Sequence, residues 1–196
     1  MLKTAVKTAL ITFASILGAI LVATGIASLF FPSAMGDFCV FCGFDKSAVL
    51  YYKSAYNGVG DYNDLAKLVN SAEIVGNDKV LSEYGLKFAQ DEKFKSYCEE
   101  KDKKEGGEVK SYDYYSHIVI NATYRQNNYA AAAKFAVDMT FEYDRNSPLA
   151  TAIILAYSEK NKTFAEEVEK SYNASGKEIK DLSGTLGSDL QLLKNI

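Results

Sequence analysis

The sequence predicts an all-α protein: an N-terminal transmembrane helix, then an α-α helical-repeat solenoid of about four helix pairs with a C-terminal capping helix. Three observations predict it. An uncharged run of 24 residues, TALITFASILGAILVATGIASLFF, fills positions 8–31. Beyond it, apolar residues recur at i, i+3, i+4 and i+7, the spacing of one helix face. Short Gly and Asn turns separate these segments, and Pro occurs only at positions 32 and 148, so helices run unbroken between turns. The chain divides into an anchor at 1–31 and a helical domain at 32–196.

At about 1.5 Å per residue the apolar run spans roughly 36 Å, more than a ~30 Å hydrocarbon core. The competing reading is a cleaved signal peptide, whose apolar region holds only about 7–15 residues before a small-x-small site. Pro32 stands where that site would lie. Lys3 and Lys7 precede the run, and Asp37 and Asp45 are the first charges after it. The positive-inside rule therefore predicts a single-pass membrane protein with the N-terminus cytoplasmic and the helical domain extracytoplasmic.

The first pair places Met35, Phe38, Cys39 and Cys42 on one helix, turns at Gly43-Phe44-Asp45, and carries Ala48, Tyr51, Tyr52, Ala55, Tyr56 and Val59 on the next. In the second, Leu65, Leu68, Val69, Ala72 and Val75 share a face, Gly76-Asn77-Asp78 turns, and Val80, Leu81, Tyr84 and Phe88 follow. Ala48 and Tyr52 match Val80 and Tyr84 at a shift of 32. The stretch 91–110 mixes charges of both signs with Gly106-Gly107, which predicts a solvated helix end and a charged loop near 99–110. A third pair uses Tyr115, Ile118, Val119 and Ala122, the turn Asn127-Asn128, then Ala132, Phe135, Ala136 and Met139. A fourth opens at Ser147-Pro148, a cap followed by Pro at the first helical position. Its faces are Leu149, Ala152, Ile153, Ala156 and then Phe164, Val168, Tyr172. Ile179, Leu182, Leu186, Leu190 and Leu193 make the closing helix that a repeat array needs. Small residues at Gly36, Ala48, Ala55 and Ala132 let helices approach within about 8–10 Å.

Residues 35–55 read Met-Gly-x2-Cys-x3-Gly-x4-Ala-x3-Tyr-x2-Ala, with a twelve-residue step from Gly36 to Ala48. This resembles the tetratricopeptide repeat, a helix-turn-helix of about 34 residues. Pro32, Cys39 and Gly60 stand where the family has an aromatic, a Tyr and a Pro. The order of anchor, Phe-Pro-Ser exit and immediate repeats resembles small bacterial membrane-anchored tetratricopeptide (TPR-like) proteins. The resemblance implies a protein–protein interaction scaffold that takes a protein or peptide in a concave groove, without catalysis. The alternative is a structural subunit of a membrane complex whose anchor helix makes the main contacts.

The chemistry agrees with a binding role. Net charge is -3, and Arg occurs only at 125 and 145, so no basic surplus is available for nucleic acid. No phosphate loop, dinucleotide fingerprint or zinc-protease motif occurs, and no cofactor, metal or small-molecule substrate is predicted. His117, the single histidine, has no nucleophile in a recognisable motif. Cys39 and Cys42 have redox spacing without a βαβ context. They read as two small packed side chains, or as a disulfide in an oxidising compartment. Tyr51, Tyr56, Tyr62, Tyr112 and Tyr114 lie beside the packing stripe or on its edge. They read either as partner-binding residues on a groove or as the rim of the core.

Overall fold

The computed structural model describes residues 2–106, 111–177, 186–194 and 196, and all the regular structure among them is helical. Helix α1 (Leu2–Phe30) is 29 residues long. Its window Leu10–Phe30, 21 residues, is long and apolar enough to cross a membrane, and none of it is buried within the protein. The Thr24 and Ser28 hydroxyls donate to the carbonyls of Ile20 and Thr24 at 2.8 Å each, so the helix satisfies these two hydroxyls itself. The chain leaves the helical region only at Phe31 (φ -133°, ψ 54°), because the ring of Pro32 disfavours α geometry in the residue before it. Helix α2 (Pro32–Phe41) then starts with Pro at its first position, where the missing N–H costs nothing.

The structured chain forms two units, residues 1–71 and 72–196. In the first, α2 and α3 (Asp45–Val59) pack as a hairpin. Gly36 lies under the Tyr52 ring, so closely that a Cβ there would stand 2.5 Å from the ring. Tyr52 donates to Asp37 Oδ1 at 2.7 Å, and Lys67 from α4 (Tyr62–Ile74) binds the same carboxylate at 2.7 and 2.9 Å. Ser33 donates to Asp64 at 2.6 Å, and the Ser28 and Tyr51 hydroxyls meet at 3.0 Å, tying α3 to α1.

In the second unit, residues 78–89 form one irregular rod: α5 (Asp78–Val80), a π-turn (Leu81–Gly85) and α6 (Leu86–Ala89). Helices α7 (Phe94–Lys104), α8 (Ser111–Arg125), α9 (Tyr129–Tyr143), α10 (Ser147–Ser158), α11 (Lys162–Ser175) and α12 (Leu186–Leu193) follow. Helix α8 packs on α9 and α10 on α11; α8 also packs on α10, and α9 on α11. Phe88, Phe94 and Tyr115 meet edge to face with centroids 5.1–6.2 Å apart, the favoured arrangement of ring quadrupoles. Helix α12 covers α10 and α11 with Leu186 and Leu193 buried. Ile179 and Leu182 lie outside the described residues.

One turn recurs through both units. A residue with positive φ stands at Gly43, Gly76, Asn127 and Lys160 (74°, 65°, 57° and 49°). The next N–H reaches back five residues each time: Phe44 to Cys39, Asn77 to Ala72, Asn128 to Thr123 and Asn161 to Ala156, at 2.7–3.2 Å. This is the six-to-one bond of a Schellman ending; Asp144 makes a fifth, with Arg145 N–H to Thr140 at 3.0 Å, and all five accepting residues are buried. From 43 to 76 and from 127 to 160 the step is 33 residues, where the Ala48/Val80 and Tyr52/Tyr84 matches give 32. The difference lies between turn and face: Ala48 follows Gly43 by five residues, and Val80 follows Gly76 by four.

The charged stretch departs from its reading. In place of a loop beginning near 99, α7 continues to Lys104. Phe94, Cys98 and Asp102, spaced four apart, are buried, while Lys95, Glu99, Glu100, Lys103 and Lys104 are exposed. Asp102 Oδ1 accepts from the backbone N–H of Ser111 at 3.0 Å, so a residue of the charged run starts the next helix.

Candidate functional site

A cleft of about 460 Å³ opens within the second unit. Glu92, Lys95 and Glu99 come from α7 and the turn before it. Glu142 and Tyr143 come from the end of α9, and Asp144 and Arg145 from the turn that follows. Asp144 is left-handed (φ 54°) and caps α9, which directs the chain across the cleft mouth. Tyr112 and Tyr143 pack at a centroid distance of 4.5 Å. The Tyr112 hydroxyl donates to the Met139 carbonyl at 2.7 Å and is spent there.

Four carboxylates and two cations line the cleft. Arg145 approaches Asp113 at 3.8 Å, both partly exposed, so that pair adds little stability. The excess of carboxylates suits a cationic or zwitterionic group more than an anion. Burial, reinforced by the Asp102 charge, pushes the Cys98 thiol up to about 12, and a thiol kept protonated is a poor nucleophile. Burial followed by the Glu142 charge raises Tyr143 to about 12. His117 is exposed and does not line the cleft. The arrangement can hold a charged group against two rings; it does not pair a nucleophile with a base. Among the described residues no three His, Cys, Asp or Glu side chains gather to hold a metal ion.

The five tyrosines singled out in the sequence are dispersed. Tyr51, Tyr56 and Tyr62 belong to the first unit, Tyr112 and Tyr114 to the second. Tyr62 and Tyr112 are buried, 7 % and 4 % exposed, and Tyr112 forms part of the cleft wall. Tyr51 and Tyr56 are half-buried, with Tyr51 bound to Ser28. Tyr114 is exposed and its phenol is raised to about 12, by burial of its inner edge and then by Glu73. Cys39 and Cys42 are free thiols; Cys39 packs inside and Cys42 ends α2 on the surface. Burial, with the Cys42 charge second, raises Cys39 above the usual thiol value.

Sequence reasoning missed the cleft. Its residues are scattered through a charged stretch and two helix ends, and no spacing rule links them. The signal was Phe94 and Cys98, apolar residues four apart inside the charged run. No family model, curated protein or solved structure matches this chain.

Proposed function

We propose that this chain is a membrane-anchored interaction scaffold, holding a protein or peptide close to the bilayer through a tetratricopeptide-like helical body. The observation that carries the reading is α1. Its 21-residue apolar window has no burial inside the protein, and such a surface needs an apolar environment. The recurrent Schellman turns and the packing of α8 on α10 and α9 on α11 support a stack of helix pairs. The acidic cleft between α7 and α9 is the groove that fits the reading best, and its excess of carboxylates selects basic peptide segments. Tyr114 and Tyr51 remain available as contact rings. The helical body lies outside the cytoplasm and binds without catalysis.

Photo-cross-linking tests this in native membranes, with a benzophenone side chain at Glu99 on the cleft rim and a second at Tyr114. Exported or peripheral clients bearing Lys/Arg-rich segments support the scaffold. Cross-links to integral-membrane neighbours alone would instead make the chain a structural subunit held by its anchor. Light-independent background alone refutes both.

A further inference from the structure

The surface of α2 that faces away from α3 is apolar and uncovered. Phe31, Ala34, Phe38 and Phe41 fall at i, i+3, i+7 and i+10, one stripe, and all are exposed. Gly36 and Cys39, on the other side of α2, are buried. The stripe continues round the turn through Val40 and Phe44, 43 % and 60 % exposed, while Phe41 reaches 88 %. From Phe38 to Phe44 no residue carries a charge, and the first beyond are Asp45 and exposed Lys46. Asp37, beside the stripe, is taken up by Lys67 and Tyr52.

The geometry points to α2 and its turn as an apolar foot lying in the headgroup boundary of the leaflet from which α1 emerges. The inference rests on the anchored reading and deepens it. Chain length makes the lipid surface the natural occupant. Only Phe31 separates α1 from α2, and α2, ten residues, is about 15 Å long. The end of α2 that carries Phe41 therefore stays within about 15 Å of the span exit, the reach of that helix. The uncovered stripe is also continuous along the chain with the uncovered α1. Phenylalanine is one of the residues that in-plane helices bury in the boundary, and Lys46 can extend its stem over the rings toward lipid phosphate.

The chain contains no Trp, so single tryptophans report depth directly. Full-length Phe41→Trp, Ile20→Trp and Tyr157→Trp variants are reconstituted in phosphatidylcholine/phosphatidylglycerol vesicles whose acyl chains carry bromine at shallow or deep positions. Phe38→Trp serves as the second probe of the foot. The expected result is loss of Phe41→Trp emission with shallow bromines, loss of Ile20→Trp emission with deep ones, and no loss for Tyr157→Trp. Quenching at Ile20 without quenching at Phe41 and Phe38 overturns the foot and leaves the anchor intact. Blue-shifted but unquenched emission at Phe41 overturns it in favour of a protein cover, a second copy or a partner. Strongest quenching of Phe41→Trp by deep bromines overturns it because α2 would then continue the span. Quenching of Tyr157 equal to that of Phe41 overturns it as general adsorption. An unquenched Ile20→Trp defeats the anchored reading itself.

Discussion

Replacing Gly36 by alanine should loosen the first hairpin, although alanine is the better helix former. A Cβ at Gly36 would stand 2.5, 2.6 and 2.9 Å from three atoms of the Tyr52 ring, well inside contact distance. The ring is only 3 % exposed and is tethered through its hydroxyl to Asp37 at 2.7 Å, so it cannot swing aside freely. Overpacking of this kind costs up to about 3 kcal/mol, and the propensity gain returns about 1 kcal/mol. The net loss of about 2 kcal/mol should lower the melting midpoint of the full chain by about 4–8 °C, read by circular dichroism in mild detergent. Gly58→Ala is the matched comparison. It sits in α3, no atom lies within 4 Å of its added Cβ, and it should raise the midpoint by up to about 4 °C. Adding Tyr52→Leu should remove most of the Gly36→Ala penalty, giving a non-additive cycle. If Gly36→Ala melts at or above the wild-type midpoint, the close approach of α2 and α3 is not what fixes this hairpin.

Burial raises the Asp37 carboxyl, but the bonds from Lys67 and Tyr52 and the Lys67 charge outweigh it and leave the group below its usual value. A lowered carboxyl stabilises above its unfolded value near 4 and loses that contribution as pH falls through the folded value. Asp37→Asn should therefore cost up to about 1 kcal/mol at pH 7, the pair being half exposed. Urea midpoints of wild type and variant should converge toward about pH 3; a gap that persists there refutes the assignment. Thr140→Val should cost about 1–3 kcal/mol, because the buried Thr140 hydroxyl accepts from the Leu149 N–H at 3.0 Å at the start of α10; an unchanged urea midpoint counts against it. Asn161→Ala should cost about 1–2 kcal/mol, through the lost bonds to the Phe164 N–H and the Tyr124 hydroxyl at 3.0 Å each; unaltered stability in chemical denaturation would show that neither bond matters. Cys98, buried and raised to about 12, should resist alkylation at pH 8 until the chain unfolds, by mass spectrometry of its peptide; rapid labelling of the folded chain contradicts its burial.

Elements written in local periodicity were legible in the sequence. The faces of α9 and α10 were, since Ala132, Phe135, Ala136, Met139, Leu149, Ala152, Ile153 and Ala156 are all buried. The turns at Gly43, Gly76 and Asn127 were visible because Gly and Asn tolerate a left-handed backbone. Lys160 was not, since nothing in a lysine announces positive φ; only the 33-residue step from Asn127 marks it. Helix α7 hid behind its charges because three buried positions in eleven make a narrow stripe. The π-turn was invisible, since no local spacing marks it; at Gly85 a Cβ would come within 2.7 Å of a Val119 methyl, a contact made only in the folded chain. Among the tyrosines, Tyr112 and Tyr114 are two apart and end oppositely, one sealed against Met139 and one exposed. That outcome is set by which helix packs on which side, and it is tertiary information.

The single residue between α1 and α2 has a mechanical consequence. Phe31 offers two backbone dihedrals between α1 and the hairpin, and the Ser28–Tyr51 bond braces the joint from the side. A glycine-rich tether would dissipate a change in the tilt of α1; a braced joint transmits it. Spans stand more upright in thicker bilayers. On the anchored reading proposed above, the orientation of α2 and α3 would be geared to membrane thickness, and the composition of the bilayer would be an input to the first hairpin.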